Sequence, residues 1–194
     1  MMNAARPLPD LATERLRVRF PLPGDAGMAS RYYADNREHL EVMGPARPES
    51  FYTEAYWEER IGEVREEFER DAGLSFFVFE KERPDVLVGH INLFNIARKV
   101  FQCGTLGYSI DKDHQGRGYT TEACRAVIGY AFDVLNLHRV QAGHLPENLA
   151  SGAVLRKLGF AHEGYARDYL YFHGRWRDHV LLAVTNPDWK DEGV

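Results

Sequence analysis

The sequence predicts an α+β fold in which a largely antiparallel sheet carries helices on both faces. Residues 15–20 alternate arginines with apolar side chains, as a strand with one buried face does. Residues 54–71 instead place apolar side chains at offsets of four, three and four, which is typical of an amphipathic helix. These helical positions are Trp57, Ile61, Val64 and Phe68.

A hairpin is predicted next. The apolar, β-rich runs 74–80 and 86–94 flank a charged turn around Pro84 and Asp85. A third apolar run, 105–110, indicates another strand of the same sheet.

The second half of the chain continues the alternation of helices and strands. A helix is predicted from near Thr121 to about Leu135, followed by a strand at 138–144. Asn148 is a favourable N-cap for a short helix to Leu158. The apolar positions of the first helix are Ala123, Val127, Ala131 and Val134. The short helix is predicted to stop at Gly159 and Phe160. The final strands are predicted at 167–172 and 177–184, joined by a turn at His173 and Gly174.

Composition restricts the possible partners and location. The 194 residues are 44% hydrophobic, which fits one domain spanning residues 1–194. Because 24 Lys and Arg face 29 Asp and Glu, no global positive field favours direct binding to nucleic acid or to a membrane. The N-terminal segment lacks a signal-peptide apolar region, and no apolar run approaches the ~18 residues of a membrane span. We therefore expect a cytoplasmic protein.

Neither the cysteines nor the histidines predict a metal site. Cys103 and Cys124 match no metal-ligand spacing, and we expect both to be reduced. The eight histidines contain no H-E-x-x-H pair. Segment 54–71 has a net charge of −5, because eight acids outnumber three arginines. It is either a solvated helix face or an acidic wall that attracts a cationic substrate.

The segment from Leu106 to Ala123 carries the clearest chemical signal. A strand ends near Ile110, a polar loop with Gly116 and Gly118 follows, and a helix then begins. Glycines admit a ligand close to the backbone, and a helix N-terminus adds unpaired N–H donors, so the loop suits a pyrophosphate. Two glycines before a helix are also an ordinary turn. Neither a dinucleotide G-x-G-x-x-G pattern nor a P-loop G-K-[ST] pattern is present.

Read with its neighbours, the loop resembles a known signature. Residues 115–120, Gln-Gly-Arg-Gly-Tyr-Thr, are similar to the Q/R-x-x-G-x-G/A signature of the GNAT superfamily of acetyl-CoA-dependent N-acetyltransferases. Over nearly its whole length the chain resembles the RimJ/RimL-type ribosomal-protein N-terminal acetyltransferases, above all the RimJ-like members. Further matching stretches are Thr13-Glu-Arg-Leu-x-Val-Arg19, Leu106-Gly-Tyr-Ser-Ile110, Glu122-Ala123, Leu158-Gly-Phe160, Gly174-x-Trp-Arg-Asp-His-Val180 and Pro187-Asp-Trp189.

The resemblance implies the GNAT fold, with a splayed parallel strand pair formed here by 105–110 and 138–144. Acetyl-CoA would be the cosubstrate and would lie in the resulting cleft. Thr120 departs from the signature, which prefers Gly or Ala there. The implied cofactor-binding residues are Tyr108, Ser109, Ile110, Gln115, Gly116, Arg117, Gly118, Tyr119, Thr120, Thr121, Asn148 and Ser151.

The resemblance also implies two catalytic positions. A strand N–H near Tyr108 would stabilise the oxyanion, and Ser151 would protonate the departing thiolate. Ser151 is alternatively a first-turn hydroxyl that bonds to backbone. The glutamate of RimL-like relatives is replaced by Thr105, which cannot act as a base. Other candidates for the base, each with a structural alternative, are Glu122, His90, Asn92, Asn95 and His138.

The missing base favours an N-terminal acceptor. An α-amino group has a pKa of about 7.8, so a sizeable fraction of it is neutral at neutral pH. A lysine side chain, with a pKa of about 10.4, is almost fully charged. We therefore expect transfer to a protein α-amine, in particular that of a ribosomal protein. The alternatives are a small amine such as a polyamine or an aminoglycoside, and a non-catalytic CoA-binding protein. The C-terminal aromatic residues either line a peptide groove or pack the last strands on the core: Tyr165, Tyr169, Tyr171, Phe172, Trp176 and Trp189.

Overall fold

The computed structural model describes residues 6–191, which form one eight-stranded sheet and five α-helices. The two ends of the predicted domain, 1–5 and 192–194, lie outside the described residues. The strands are β1 (Asp10–Ala12), β2 (Leu16–Arg19), β3 (Leu74–Glu80), β4 (Arg83–Ala97), β5 (Cys103–Ile110), β6 (Arg139–His144), β7 (Ala161–Phe172) and β8 (Arg175–Thr185). The helices are α1 (Ala26–Asp35), α2 (Arg37–Met43), α3 (Glu54–Glu69), α4 (Tyr119–Asp133) and α5 (Leu149–Lys157).

The sheet is mixed and mostly antiparallel, as predicted. Its strand order is β1-β2-β3-β4-β5-β6-β8-β7. Every neighbouring pair is antiparallel except β5 and β6, which run parallel. This central parallel pair is the one that the resemblance implied.

Helices cover both faces of the sheet, which is also confirmed. On β3, Phe76 and Val78 belong to a core cluster that includes the inner side of α4. The alternate residues Phe77 and Phe79 pack in a second cluster with α1 and α3. Because successive side chains of a strand point to opposite faces, α4 lies on one face and α1 and α3 lie on the other.

The predicted apolar stripes are confirmed except at one position. All four stripe residues of α3 are buried. In α4, Ala123, Val127 and Ala131 are buried, but Val134 is 58% exposed. The helix ends at Asp133, so Val134 leaves the helical face and Leu135 takes the buried place instead.

The predicted turn of the β3–β4 hairpin is wrong by three residues. The turn is formed by Lys81 and Glu82, because Glu80 already pairs with Arg83. Pro84 and Asp85 lie inside β4, at an irregularity where the register shifts. A bulge tolerates proline because the residue there needs no ladder hydrogen bond.

The other boundaries follow local chemistry. Asn148 caps α5, with its side chain accepting from the Ser151 N–H at 3.0 Å. At the end of this helix Gly159 has φ +85°, and the Phe160 N–H donates to the Leu155 carbonyl, as predicted for a glycine stop. Strand β7 begins at Ala161, six residues earlier than predicted.

The strand pattern predicts that Arg19 faces solvent, but its side chain contacts the protein. Its guanidinium donates to Asp25 at 2.6 and 2.8 Å and lies over the Phe79 ring. Asp25 is itself buried, so this ion pair ties β2 to the start of α1. Both cysteines are free and buried. No helix within residues 6–191 combines the length and apolar character of a membrane span.

Candidate active site

Strands β5 and β6 separate after three paired residues. Residues 103–105 pair with 139–141. Beyond this point β5 stays paired with β4, and β6 stays paired with β8. The facing edges of 106–110 and 142–144 thus pair with no strand in the described part of the chain, and a V-shaped cleft opens between them. The predicted splay is present.

The glycine loop lies at the end of β5 and leads into α4. Gly116 and Gly118 have φ of +71° and +80°, a backbone region that favours glycine. Helix α4 begins at Tyr119, two residues earlier than predicted, with Gly118 as its N-cap and no side-chain cap. The first-turn N–H groups therefore have no intrahelical acceptor. With both glycines exposed, the loop offers these N–H donors to an anionic group such as a pyrophosphate.

The outer side of this loop is held by Arg15, which precedes β2. Its Nη1 donates to the Arg117 carbonyl at 2.9 Å, and its Nε donates to Glu122 at 2.7 Å. Thr13 also donates to Glu122, at 2.6 Å. Burial alone would raise the pKa of Glu122, but the bonds from Thr13 and Arg15 outweigh it and lower the pKa. Glu122 is thus a structural carboxylate and a poor general base.

A second network supports the loop from the side of β5. The Asp111 carboxylate accepts from Asn36 at 2.8 Å and contacts the His114 ring at 2.7 Å. Burial would raise the pKa of Asp111, but these contacts and the Asp113 N–H lower it. The His114 ring stacks on Tyr119, whose hydroxyl donates to Glu80. These bonds fix the loop between β3, α1 and α4.

Tyr108 and Ser151 meet across the open side of the cleft. Their hydroxyl oxygens are 2.8 Å apart, and the Tyr108 hydroxyl also lies 3.3 Å from the Ser151 carbonyl oxygen. The Asn148 Oδ1 accepts from the Ser151 N–H as a helix cap. At the closed end of the cleft, Gln141 donates to Thr105 at 3.1 Å.

The opposite face of the sheet carries a buried polar group centred on His90. The His90 ring nitrogens lie 2.6 Å from the Tyr33 hydroxyl and 2.5 Å from the Ser75 hydroxyl. Burial, followed by the charges of Arg60 and Arg47, lowers the pKa of His90 to about 3. His90 is therefore neutral at neutral pH and too weak a base to deprotonate an ammonium. Next to it, the Tyr32 hydroxyl donates to Ser109 at 2.9 Å.

A cavity of about 440 Å³ opens beside this group, between α3 and β4. Its walls include the aromatic rings of α1, α3 and the segment before α3. Asn92 and Asn95 line it, whereas His138 contacts the Trp189 ring elsewhere in the structure. Among the described residues, no cluster of His, Cys, Asp and Glu could hold a metal ion.

Most predicted cofactor residues lie around the cleft, but their side chains differ in exposure and in the hydrogen bonds that they already make. Gln115 and Arg117 are exposed and donate to the carbonyls of Lys112 and Asp113. Thr120 and Thr121 are half-buried in the first turn of α4. The sequence assigned only the backbone of Tyr108, so the contact of its hydroxyl with Ser151 was missed. The anchoring roles of Arg15 and Glu80 were missed too, because no local pattern links them to the loop.

The C-terminal aromatic residues do not all pack on the core. Tyr165, Tyr169, Tyr171 and Trp176 are between 46% and 58% exposed on the β7–β8 hairpin. Core packing is therefore the wrong interpretation for these four. At the hairpin tip, His173 Nε2 lies 2.7 and 2.8 Å from carbonyl oxygens of Glu41 and Gly44, which holds the hairpin beside the end of α2.

Comparison with known proteins defines the class of this site. Residues 15–161 match the acetyltransferase (GNAT) domain family. The chain therefore belongs to the GNAT acetyltransferase family. It is an N-acetyltransferase, and acetyl-CoA is its cosubstrate.

Three relatives are similar over most of their length. The chain is 40% identical to the [Ribosomal protein uS5]-alanine N-acetyltransferase of Escherichia coli K12 over 179 residues, 92% of each chain. The crystal structure of the ribosomal-protein-S5-alanine acetyltransferase from Vibrio fischeri superposes with a TM-score of 0.89 at 35% identity, covering 94% of this chain and 99% of that one. Mycobacterium smegmatis RimJ in complex with CoA-disulfide gives 0.83 at 27% identity, covering 92% and 86%.

Proposed function

We propose that this protein transfers the acetyl group of acetyl-CoA to the N-terminal α-amine of a ribosomal protein, in the cytoplasm where ribosomal proteins are made. The observation that carries this proposal is the similarity to the Escherichia coli enzyme, which extends over 92% of both chains. That relative is named for an alanine terminus of ribosomal protein uS5, and we propose the same kind of acceptor here. A single domain, residues 1–194, would perform the reaction.

The cleft between β5 and β6 is the proposed site of acetyl-CoA. The open edge of β5 at Tyr108, Ser109 and Ile110 offers backbone groups to the pantetheine amides, much as an added strand would. The loop 115–121 offers N–H donors to the pyrophosphate. The Asn148 Oδ1 accepts from the Ser151 N–H and so holds Ser151 beside the cleft, while its Nδ2 remains to bind the pantetheine.

The proposed reaction needs three contributions from the chain. A neutral α-amine attacks the thioester carbonyl, and a backbone N–H near Tyr108 stabilises the oxyanion. Ser151 then donates its proton to the departing CoA thiolate and takes one from the Tyr108 hydroxyl, 2.8 Å away. Solvent receives the proton that the attacking amine releases and returns one to Tyr108, so the proton count balances. No strong base is assigned, because a peptide α-amine is already partly neutral at neutral pH.

A competition assay tests the acceptor class. Acetyl-CoA is offered with a basic peptide bearing a free N-terminal Ala, with the same peptide blocked at its N-terminus, and with spermidine, while thiol release is followed. We expect kcat/KM for the free terminus to exceed the others by about a hundredfold, or about 2.7 kcal/mol. Faster acetylation of spermidine or of the blocked peptide would establish the small-amine or lysine alternative. No turnover with any amine would favour a CoA-binding protein.

A further inference from the structure

The cavity between α3 and β4 combines aromatic and polar side chains, a mixture that core packing alone does not require. One wall is aromatic and includes Phe51 and Trp57, while the floor is polar and includes His90 and Asn92. Its volume of about 440 Å³ falls in the range of small-ligand sites. The cavity is therefore large enough for the side chains of a bound peptide.

The cavity lies one strand away from the cleft. Asn92 pairs with Gly107 on β5, in the stretch of β5 that faces the open cleft. Gly107 has no side chain, and a Cβ added there would meet only the Phe94 ring, at 3.3 Å. Because neighbouring strands are about 4.8 Å apart, the cavity approaches the thioester position from the face opposite α4. A peptide with its amine at the cleft can therefore place later residues in the cavity.

The side chains that line this cavity carry a net charge of +1, because Arg47 and Arg60 outnumber Glu67. Arg60 is already paired, with Glu63 at 2.9 Å and Glu67 at 2.7 Å. The guanidinium of Arg47 instead lies 4.6 Å from the centre of the Phe51 ring and forms no ion pair with any residue of 6–191. The neighbouring polar groups of the floor, Ser75 and His90, carry no negative charge. One cation is thus left uncompensated.

We propose that this cavity receives the first residues of the acceptor and that Arg47 selects acceptors carrying a carboxylate among them. The inference rests on the proposed function, because it takes a peptide as the acceptor. A guanidinium that lies over an aromatic ring can still direct two N–H groups at a carboxylate. The same charge disfavours a polyamine, which would bring like charges together.

The acids of 54–71 do not oppose this selection. Glu63 and Glu67 are paired with Arg60, and Glu69 is paired with Arg65 at 2.8 Å. Of the acids of 54–71 only Glu67 lines the cavity, and its carboxylate is held by Arg60.

The test compares peptides that differ by one group. Peptides with N-terminal Ala carry a single Glu or a single Gln at position 2, 3, 4 or 5, and kcat/KM is measured for each pair. We expect about a fivefold preference for Glu at one or more positions. In Arg47→Gln this Glu/Gln ratio falls to about one, whereas Arg47→Lys retains part of it. Arg31→Gln, which removes an exposed arginine of α1 outside the cavity, leaves the ratio unchanged.

Each outcome has a separate meaning. A wild-type ratio near one at all four positions, or a ratio unchanged in Arg47→Gln, overturns the selection by Arg47 but leaves N-terminal acetylation intact. Failure to acetylate any of these peptides, with turnover of spermidine, overturns the proposed function and this inference with it. Because the ratio compares two substrates of one preparation, partial unfolding of a variant cancels.

Discussion

The hydroxyl of Tyr108 on β5 lies 2.8 Å from the hydroxyl of Ser151 on α5, so the two side chains connect the elements on either side of the cleft. Burial raises the pKa of Tyr108 above its ordinary value, although the bond to Ser151 acts in the opposite direction. Tyr108 therefore stays protonated at neutral pH and is able to donate to the Ser151 hydroxyl. When it does so, the Ser151 proton is free for a group in the cleft.

Ser151→Ala tests this role directly. If Ser151 protonates the thiolate, kcat should fall by about 10² or more while KM for acetyl-CoA changes little, because the loop that holds the pyrophosphate is intact. Steady-state kinetics with a peptide acceptor measure both constants. Ser50→Ala, at an exposed serine before α3, serves as the matched control. A kcat within twofold of the parent would assign Ser151 to helix structure only.

Gly118→Asp tests the loop. The substitution adds a side chain at φ +80° and a negative charge beside the proposed pyrophosphate position, so acetyl-CoA affinity should fall at least about tenfold, or about 1.4 kcal/mol. Calorimetric titration with acetyl-CoA measures the change. Gly24→Asp adds the same charge at an exposed glycine with open space around it and should bind normally. Unchanged affinity in Gly118→Asp would remove the loop from the site.

Arg15→Met tests whether the contact of Arg15 with the glycine loop 115–121 is needed to bind acetyl-CoA. Arg15 binds the Arg117 carbonyl, and in a trans peptide the N–H of Gly118 points the opposite way, so this contact fixes the direction of that donor. We expect KM for acetyl-CoA to rise about tenfold with kcat nearly unchanged. Arg65→Met, on the exposed side of α3, is the control. An unaltered KM, or an equal loss in kcat, would show that Arg15 has no positioning role.

His90 predicts a pH dependence of stability. The pKa of this histidine is about 6.5 in the unfolded chain and about 3 in the folded chain. Below pH 6.5 the unfolded state therefore binds more protons than the folded state. Stability is therefore lost as the pH falls from 6.5 towards 3. Between pH 6 and 4.5, the free energy of unfolding of the wild type should fall about 1.4 kcal/mol per pH unit more steeply than that of His90→Gln.

Urea unfolding at several pH values provides this measurement. The exposed His162→Gln should retain the wild-type slope. Parallel slopes for the wild type and His90→Gln would show that His90 is protonated in the folded protein.

Local patterns predicted most elements of the site. The glycine loop, the N-cap at Asn148 and the buried stripe of α3 are all set by residues within a few positions of one another, and each was found where expected. Errors occurred where the exact end or register of an element decides. The hairpin turn moved because β4 bulges opposite β3, and Val134 is exposed because α4 ends before it.

The sequence by itself determined the family, the strand–loop–helix unit and the absence of a carboxylate at Thr105, because these depend on residue identity and short spacing. Only the tertiary structure decided which side chains meet. It joined Arg15 to Glu122 over 107 positions and Tyr108 to Ser151 over 43. It also placed the charge of Arg47 beside a neutral His90, next to the cleft. Such contacts depend on how strands and helices pack, and the one-dimensional pattern of a strand specifies its faces but not its distant neighbours.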